Sequence, residues 1–261
     1  MPQEPVMEPG GLCGKIPSRG DFVDSGLPWD LQQPLTEWLQ ALIGVSRDQL
    51  QQHWLDLYLT SPVWRFATPA GAFGPYGCAG VMIPSVDRVG RYFPLVLLKT
   101  HGAAPIELHM HGAAWYDNLA ALALSALEPN LDLAPLATTI RELPPVLAEQ
   151  VIASPFQGQQ SFRQQPSQPH YPWHIPTGAT GNLGETSLAF LHHVLSKAVP
   201  AYSLWWTEGS ASVDPTCLVC SGLPPISGYA AMLDGQWQQW GWEIHNFLAI
   251  IPHPEPAGAE A

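Results

Sequence analysis

The chain has 261 residues, 46% of them hydrophobic and 12% charged, with a formal net charge of −12. That length and apolar content suffice for a substantial core in one or two domains. The charge is uneven, seven basic residues against nine acidic ones in 1–100 and three against thirteen in 101–261. This excludes the broad basic face that nucleic acid or an anionic membrane requires and favours a neutral or basic protein partner.

The N-terminus, MPQEPVMEPGG, has no basic n-region and no apolar h-region, and no apolar run nears the ~20 residues of a transmembrane helix. The expectation is a cytoplasmic chain without membrane insertion. Cys13, Cys78, Cys217 and Cys220 set no disulfide framework. Eleven Trp residues point to large buried aromatic surfaces, and 28 Pro residues to many turns.

Residues 1–11 read as a disordered tail, 12–252 as a single α/β domain and 253–261 as a second tail. The turn Gly14 to Asp21 is charged. It resembles a phosphate loop only at Gly14-Lys15, because Pro9 and Ile16 stand where that motif needs Gly and Ser or Thr. Leu31, Leu35, Trp38, Leu39 and Leu42 recur at helical spacing, with Gly44 as the expected stop. Ser46 and Gln49 then read as a capping box before a second helix carrying Leu50, Trp54, Leu57 and Tyr58. Val63 to Thr68 reads as a strand on which Arg65 points away from Trp64 and Phe66.

The stretch Cys78 to Lys99 holds two short apolar runs, Val81 to Ile83 and Phe93 to Leu98, around a charged turn. It predicts strand, loop, strand. Around the second run Arg91, Phe93, Leu95 and Leu97 share one face and Tyr92, Pro94, Val96 and Leu98 the other. Both faces are largely apolar, as in a sheet covered on two sides. Pro94 predicts an edge position or a bulge. Leu108 to His111 reads as a short strand, Ala113 to Leu127 as a helix, and Leu133 to Glu149 as two short helical pieces. From about 154 to 184 the chain is a Gln- and Pro-rich loop, long for a compact domain. A helix follows over Glu185 to Lys197. Tyr202 to Trp206, Cys217 to Ser221, Trp237 to Trp242 and Phe247 to Pro252 read as strands, with Cys217 to Ser221 and Phe247 to Ile251 apolar on both faces.

The candidate chemistry is sparse. Cys217 and Cys220 have redox spacing, but on a strand they face opposite sides and neither bridge nor hold one metal. His109 and His111 would share a strand face, which is the basis of an alternative reading as a metal-dependent hydrolase, with His170, His174, His192 or His193 as a third ligand. A Gly-x-Ser-x-Gly turn, a His-Glu-x-x-His helix and a Gly-x-Gly-x-x-Gly loop are all missing from the sequence. The remaining constellation is ionic: Lys15, Arg19, Asp21, Arg65, Asp87, Arg88 and Arg91, in Trp- and Phe-rich company. Such charges either pair with one another to hold a hairpin or form a face that recognises carboxylates or a phosphorylated segment. Neither a cofactor nor a metal is expected on this reading.

Four words, GKIPSRGDFV (Gly14 to Val23), YLTSPVWRF (Tyr58 to Phe66), MIPSVDRVGRYFPL (Met82 to Leu95) and SLWWTEGS (Ser203 to Ser210), resemble the TagF (ImpM) family of type VI secretion accessory proteins. The matching positions are Gly14, Lys15, Pro17, Arg19, Gly20, Asp21 and Phe22; Trp64 and Arg65; and Pro84, Ser85, Asp87, Arg88, Gly90 to Pro94. The resemblance implies a three-layer α-β-α sandwich with a mixed sheet and a non-enzymatic role. It further implies post-translational repression of secretion-system assembly through a forkhead-associated scaffold protein.

Overall fold

The computed structural model describes residues 9–147 and 186–247. Seven strands form one sheet: β1 (Gly10–Gly14), β2 (Val23–Ser25), β3 (Trp64–Thr68), β4 (Gly77–Ile83), β5 (Leu95–His101), β6 (Tyr202–Thr207) and β7 (Thr216–Ser221). Their order is β2-β1-β5-β4-β3-β6-β7, and every neighbouring pair is antiparallel. The expected mixed sheet is thus corrected. β3, β4 and β5 follow one another through short connections, which permit only antiparallel pairing. The expected tail is also too long by its last residues, since Gly10 and Gly11 pair with Lys99 and Leu98.

Strand residues alternate between two apolar clusters. Trp64, Phe66, Cys78, Met82, Val96, Leu98 and Trp205 join one with α1 (Trp29–Leu50), α2 (Trp54–Leu59) and α7 (Ala231–Asp234). Ala67, Ala79, Val81, Ile83, Leu95 and Leu97 join the other with α3 (Pro105–His111), α4 (Ala113–Ser125) and α5 (Leu133–Glu142). The period of two along each strand produces this division. β5 is buried on both faces, as its composition predicts. Phe93 departs from that alternation and packs with Val96 and Leu98, because it precedes the strand. Pro94 lies just before β5, an interior strand, so the edge or bulge expectation is corrected: its missing N–H falls where no ladder bond is needed.

The helix expected to stop at Gly44 continues to Leu50. Ile43, Ser46 and Leu50 prolong the buried stripe, and their burial outweighs the ~1 kcal/mol that glycine costs inside a helix. Ser46 caps nothing. Its hydroxyl donates to the Ile43 carbonyl and accepts from Trp54 Nε1 at 2.9 Å, joining α1 to α2. Arg47 lies over the Trp54 ring at 4.3 Å, and Trp54 stacks on Tyr58 at 4.7 Å.

Four further expectations change. Residues 108–111 are helical, within α3, which starts at Pro105 where a missing N–H costs nothing. Trp237 to Trp242 contains a 3-10 turn at Gln238–Trp240 instead of a strand; Trp240 Nε1 donates to Asp234 and Trp242 Nε1 to the Gly228 carbonyl, both at 2.8 Å. β7 is the last strand of the sheet, so Leu218 and Cys220 are buried while Cys217, Val219 and Ser221 are exposed. Phe247 is exposed and outside any strand, and 248–252 fall outside the described residues. So do the Gln- and Pro-rich stretch 154–184 and the tail from 253. α6 (Ser187–Ala198) takes up the last predicted helix.

Candidate functional site

The two charged words of the sequence meet at one end of the sheet. β1 ends at Gly14, where φ is +139° and a Cβ would lie 2.1 Å from the Pro94 carbonyl oxygen, so only glycine lets the two loops touch. The loop 84–94 continues the β4–β5 hairpin: Val86 bridges Tyr92, Phe93 N–H donates to the Ser85 carbonyl, and Asp87 N–H donates to the Arg91 carbonyl. Gly90 N–H returns to the Asp87 carbonyl at 3.0 Å, and Gly90 takes φ +85°. Asp87 first, glycine in the left-handed region fourth, is the pattern of a tight turn closed by a bulge.

Asp87 organises this turn. Its side chain is fully buried, and each carboxylate oxygen accepts two hydrogen bonds. Oδ1 takes Val89 N–H at 3.0 Å and Arg91 N–H at 2.8 Å; Oδ2 takes Arg91 Nε at 2.6 Å and Lys15 Nζ at 3.0 Å. Burial alone would raise the pKa of this carboxyl. The hydrogen bonds from Arg91 N–H, the Lys15 and Arg91 side chains and Val89 N–H outweigh it, and the pKa lies well below the usual carboxylate range. Arg91 Nη2 also donates to the Gly20 carbonyl, and Arg88 N–H donates to the Arg19 carbonyl at 2.8 Å.

Ser85 is the apolar-side counterpart. Its hydroxyl donates to the Lys15 carbonyl at 2.7 Å, and its N–H and carbonyl both bond the Tyr58 hydroxyl at 3.0 Å. Phe22 meets Phe93 edge to face at 5.4 Å, and Tyr92 meets Trp54 and Tyr58 in the same way. The loop pair is therefore clamped to the α1–α2 layer.

Of the sequence-predicted ionic residues, Lys15, Asp87 and Arg91 share one network, and Arg19 and Arg88 adjoin it through the backbone. Asp21 is exposed and forms no ion pair among the described residues. Arg65 belongs elsewhere. It does point away from Trp64 and Phe66, but its guanidinium pairs with Asp117 of α4 at 2.9 Å and Glu208, just after β6, at 2.8 Å. Sequence reasoning gave Tyr58 only a place on a helix stripe and Glu208 only a place in the word SLWWTEGS, and it missed Asp117; the two acids are largely exposed.

The histidine expectation is corrected by α3. Two positions apart on a helix, His109 and His111 lie about 200° apart and no longer share a face. His109 packs edge to face on Trp206 at 4.7 Å, and burial lowers its pKa. His192 Nδ1 is 2.8 Å from the Tyr202 hydroxyl, while His170 and His174 lie outside the described residues. Among the described residues no group of three or more His, Cys, Asp or Glu is placed to hold a metal. Cys217 and Cys220 do face opposite sides of β7, Cys217 exposed and Cys220 buried, and burial pushes the Cys220 thiol up to about 12. Such a thiol is a poor nucleophile near neutrality.

The TagF N-terminal domain family, described as type VI secretion system-associated, matches residues 11–143. The crystal structure of PA0076 from Pseudomonas aeruginosa PAO1 is similar over 91% of this chain and 98% of that one, with 31% identity and a TM-score of 0.69. No curated protein matches the chain. The match over residues 11–143 takes in both charged loops and the whole ionic network, and the chain belongs to the TagF family of type VI secretion system-associated proteins.

Proposed function

We propose that this protein is a non-enzymatic accessory factor that restrains type VI secretion after translation, acting in the cytoplasm by occupying a forkhead-associated scaffold of the apparatus. The observation that carries the reading is how the motif residues use their polar groups. Ser85 and Asp87, the residues of the 84–94 loop with nucleophile or base chemistry, are buried and hydrogen-bonded within the protein. A carboxylate holding four donors is a poor proton acceptor, and a hydroxyl committed to a backbone carbonyl is a poor nucleophile. Family membership supports the link to secretion, and the resemblance in motif words supports the scaffold as partner. The helices on either face of the sheet favour a three-layer α-β-α reading of the fold. Among the described residues no helix is long and apolar enough to cross a membrane, which is compatible with a cytoplasmic role.

Titration calorimetry of the full chain against the purified scaffold of the same apparatus tests this. A stoichiometric complex is expected, together with reduced effector export when the protein is overproduced at unchanged transcript levels. Absence of a complex, or export that does not respond, would overturn it.

A further inference from the structure

We propose that the Arg88-Val89 tip of the hairpin loop, together with Arg19, is a docking point for an acidic segment of a partner protein. This rests on the reading that the chain works by binding another protein, and it names the surface and the chemistry of the contact.

The turn is rigid where it has no structural need for the residues it displays. Asp87 and Gly90 supply the turn geometry, whereas its two central positions accept most residue types. They hold Arg88, exposed, and Val89, 65% exposed. Among the described residues the side chains of Arg88 and Arg19 make neither a hydrogen bond nor an ion pair. A buried carboxylate and its four donors thus hold in place a tip whose own side chains the fold does not use. Pre-organisation of this kind lowers the entropic cost of association.

Charge collects there. Arg88 Nη2 lies 3.4 Å from the position a Cβ on Gly20 would occupy, and Arg91 bonds the Gly20 carbonyl, so two guanidinium groups gather at one glycine. Arg19 is its chain neighbour. Loops 15–22 and 84–92 carry four of the ten basic residues of the chain, Lys15, Arg19, Arg88 and Arg91, against two carboxylates, and Asp87 is already consumed. A cationic face on a protein of net charge −12 is locally out of keeping with the rest of its surface, and an anionic partner relieves the repulsion.

The backbone decides between carboxylate and phosphate. Phosphate sites characteristically add free N–H groups to their cations. Here the N–H groups of Arg88, Val89, Gly90 and Arg91 are all engaged, by the Arg19 carbonyl, Asp87 Oδ1, the Asp87 carbonyl and Asp87 Oδ1 in turn. The hairpin tip therefore offers guanidinium forks without free N–H groups, which suits carboxylates, with exposed Val89 as an apolar contact beside Arg88.

The test titrates the full-length protein, followed by amide and arginine side-chain NMR, with a twelve-residue peptide of Asp, Glu and Leu. A phosphothreonine peptide of equal charge runs in parallel, and the forkhead-associated scaffold is titrated by calorimetry. Expected are shifts confined to Arg19, Gly20 and Arg88 to Arg91, and about tenfold weaker binding of peptide and scaffold to Arg88→Glu, with Arg88→Ala intermediate. Both variants should melt as the parent does, since the side chain has no intramolecular partner. Shifts elsewhere or none, or tighter binding of the phosphopeptide, would overturn the proposal. A scaffold that binds parent and Arg88→Glu equally would remove this surface while leaving the proposed function standing. A scaffold that binds neither, while the acidic peptide still maps to the tip, would remove the proposed function and leave this inference.

Discussion

Lys15 and Arg91 converge on a single oxygen, Oδ2 of Asp87, at 3.0 and 2.6 Å. The loop after β1 and the tip of the β4–β5 hairpin are thereby held by one buried carboxylate. Its replacement has correspondingly large effects. Asp87→Asn should destabilise by about 3 kcal/mol, since one partner of a buried ion network is removed and two cations lose their counter-charge. For a chain of this size that is a fall of about 10 °C in Tm, measurable by calorimetry.

The same carboxylate gives an acid signature. Its pKa is lower folded than unfolded, so its contribution is complete above the ordinary aspartate value near 3.8 and disappears as the pH falls below it. Urea midpoints taken from pH 5 to pH 2 should drop more steeply for the parent than for Asp87→Asn. Parallel slopes would contradict the assignment.

A different group governs milder acid. Burial pushes the His101 imidazole down from 6.5 to about 4. The unfolded chain therefore binds the proton first, and stability falls as the pH drops from about 6.5 to about 4, by up to about 3 kcal/mol. His109 and His192, also lowered by burial, act in the same direction. His101→Phe should flatten most of this slope while leaving the steeper loss below pH 4 in place.

Arg65 is a buried cation with two exposed acceptors, Asp117 and Glu208. Either acid alone can serve it, so Asp117→Ala and Glu208→Ala should each cost under about 1 kcal/mol. The double variant should cost about 2 kcal/mol more than the sum of the two, because the guanidinium is then buried without a carboxylate. Additive losses in a double-mutant cycle would show that water already serves the group.

Gly80 is central in β4. A Cβ there would lie 2.5 Å from the Leu97 carbonyl oxygen, 2.6 Å from Phe66 Cζ and 2.7 Å from Leu98 Cβ. Phe66 is itself held by stacking on Trp205 at 4.6 Å. Gly80→Ala should cost about 3 kcal/mol, against the small gain alanine brings at an unhindered strand position. Denaturant unfolding measures it.

Much of the fold was legible locally. β4 and β5 were evident from two apolar runs around a turn, and Arg65 was correctly turned away from Trp64 and Phe66 by the period of two alone. Failures came where distant burial overrode a local signal. Gly44 reads as a stop, yet Leu50 needs the same cover as Leu42. His109 and His111 read as sharing a face, until Pro105 and the packing of Ile106 and Leu108 make the segment helical. The Trp237 to Trp242 alternation mimics a strand because its rings serve side-chain bonds to Asp234 and Gly228 instead of a ladder.

Local residue chemistry alone determined that the charged loops at 14–22 and 84–94 are tight turns, since glycine, proline and aspartate set backbone angles through their immediate neighbours. Which charges meet was a tertiary decision. Asp87 takes Lys15 from the loop after the neighbouring β1 and leaves Arg65 to Asp117 and Glu208, because strand order and register, set by burial over the whole chain, determine which side chains come within reach.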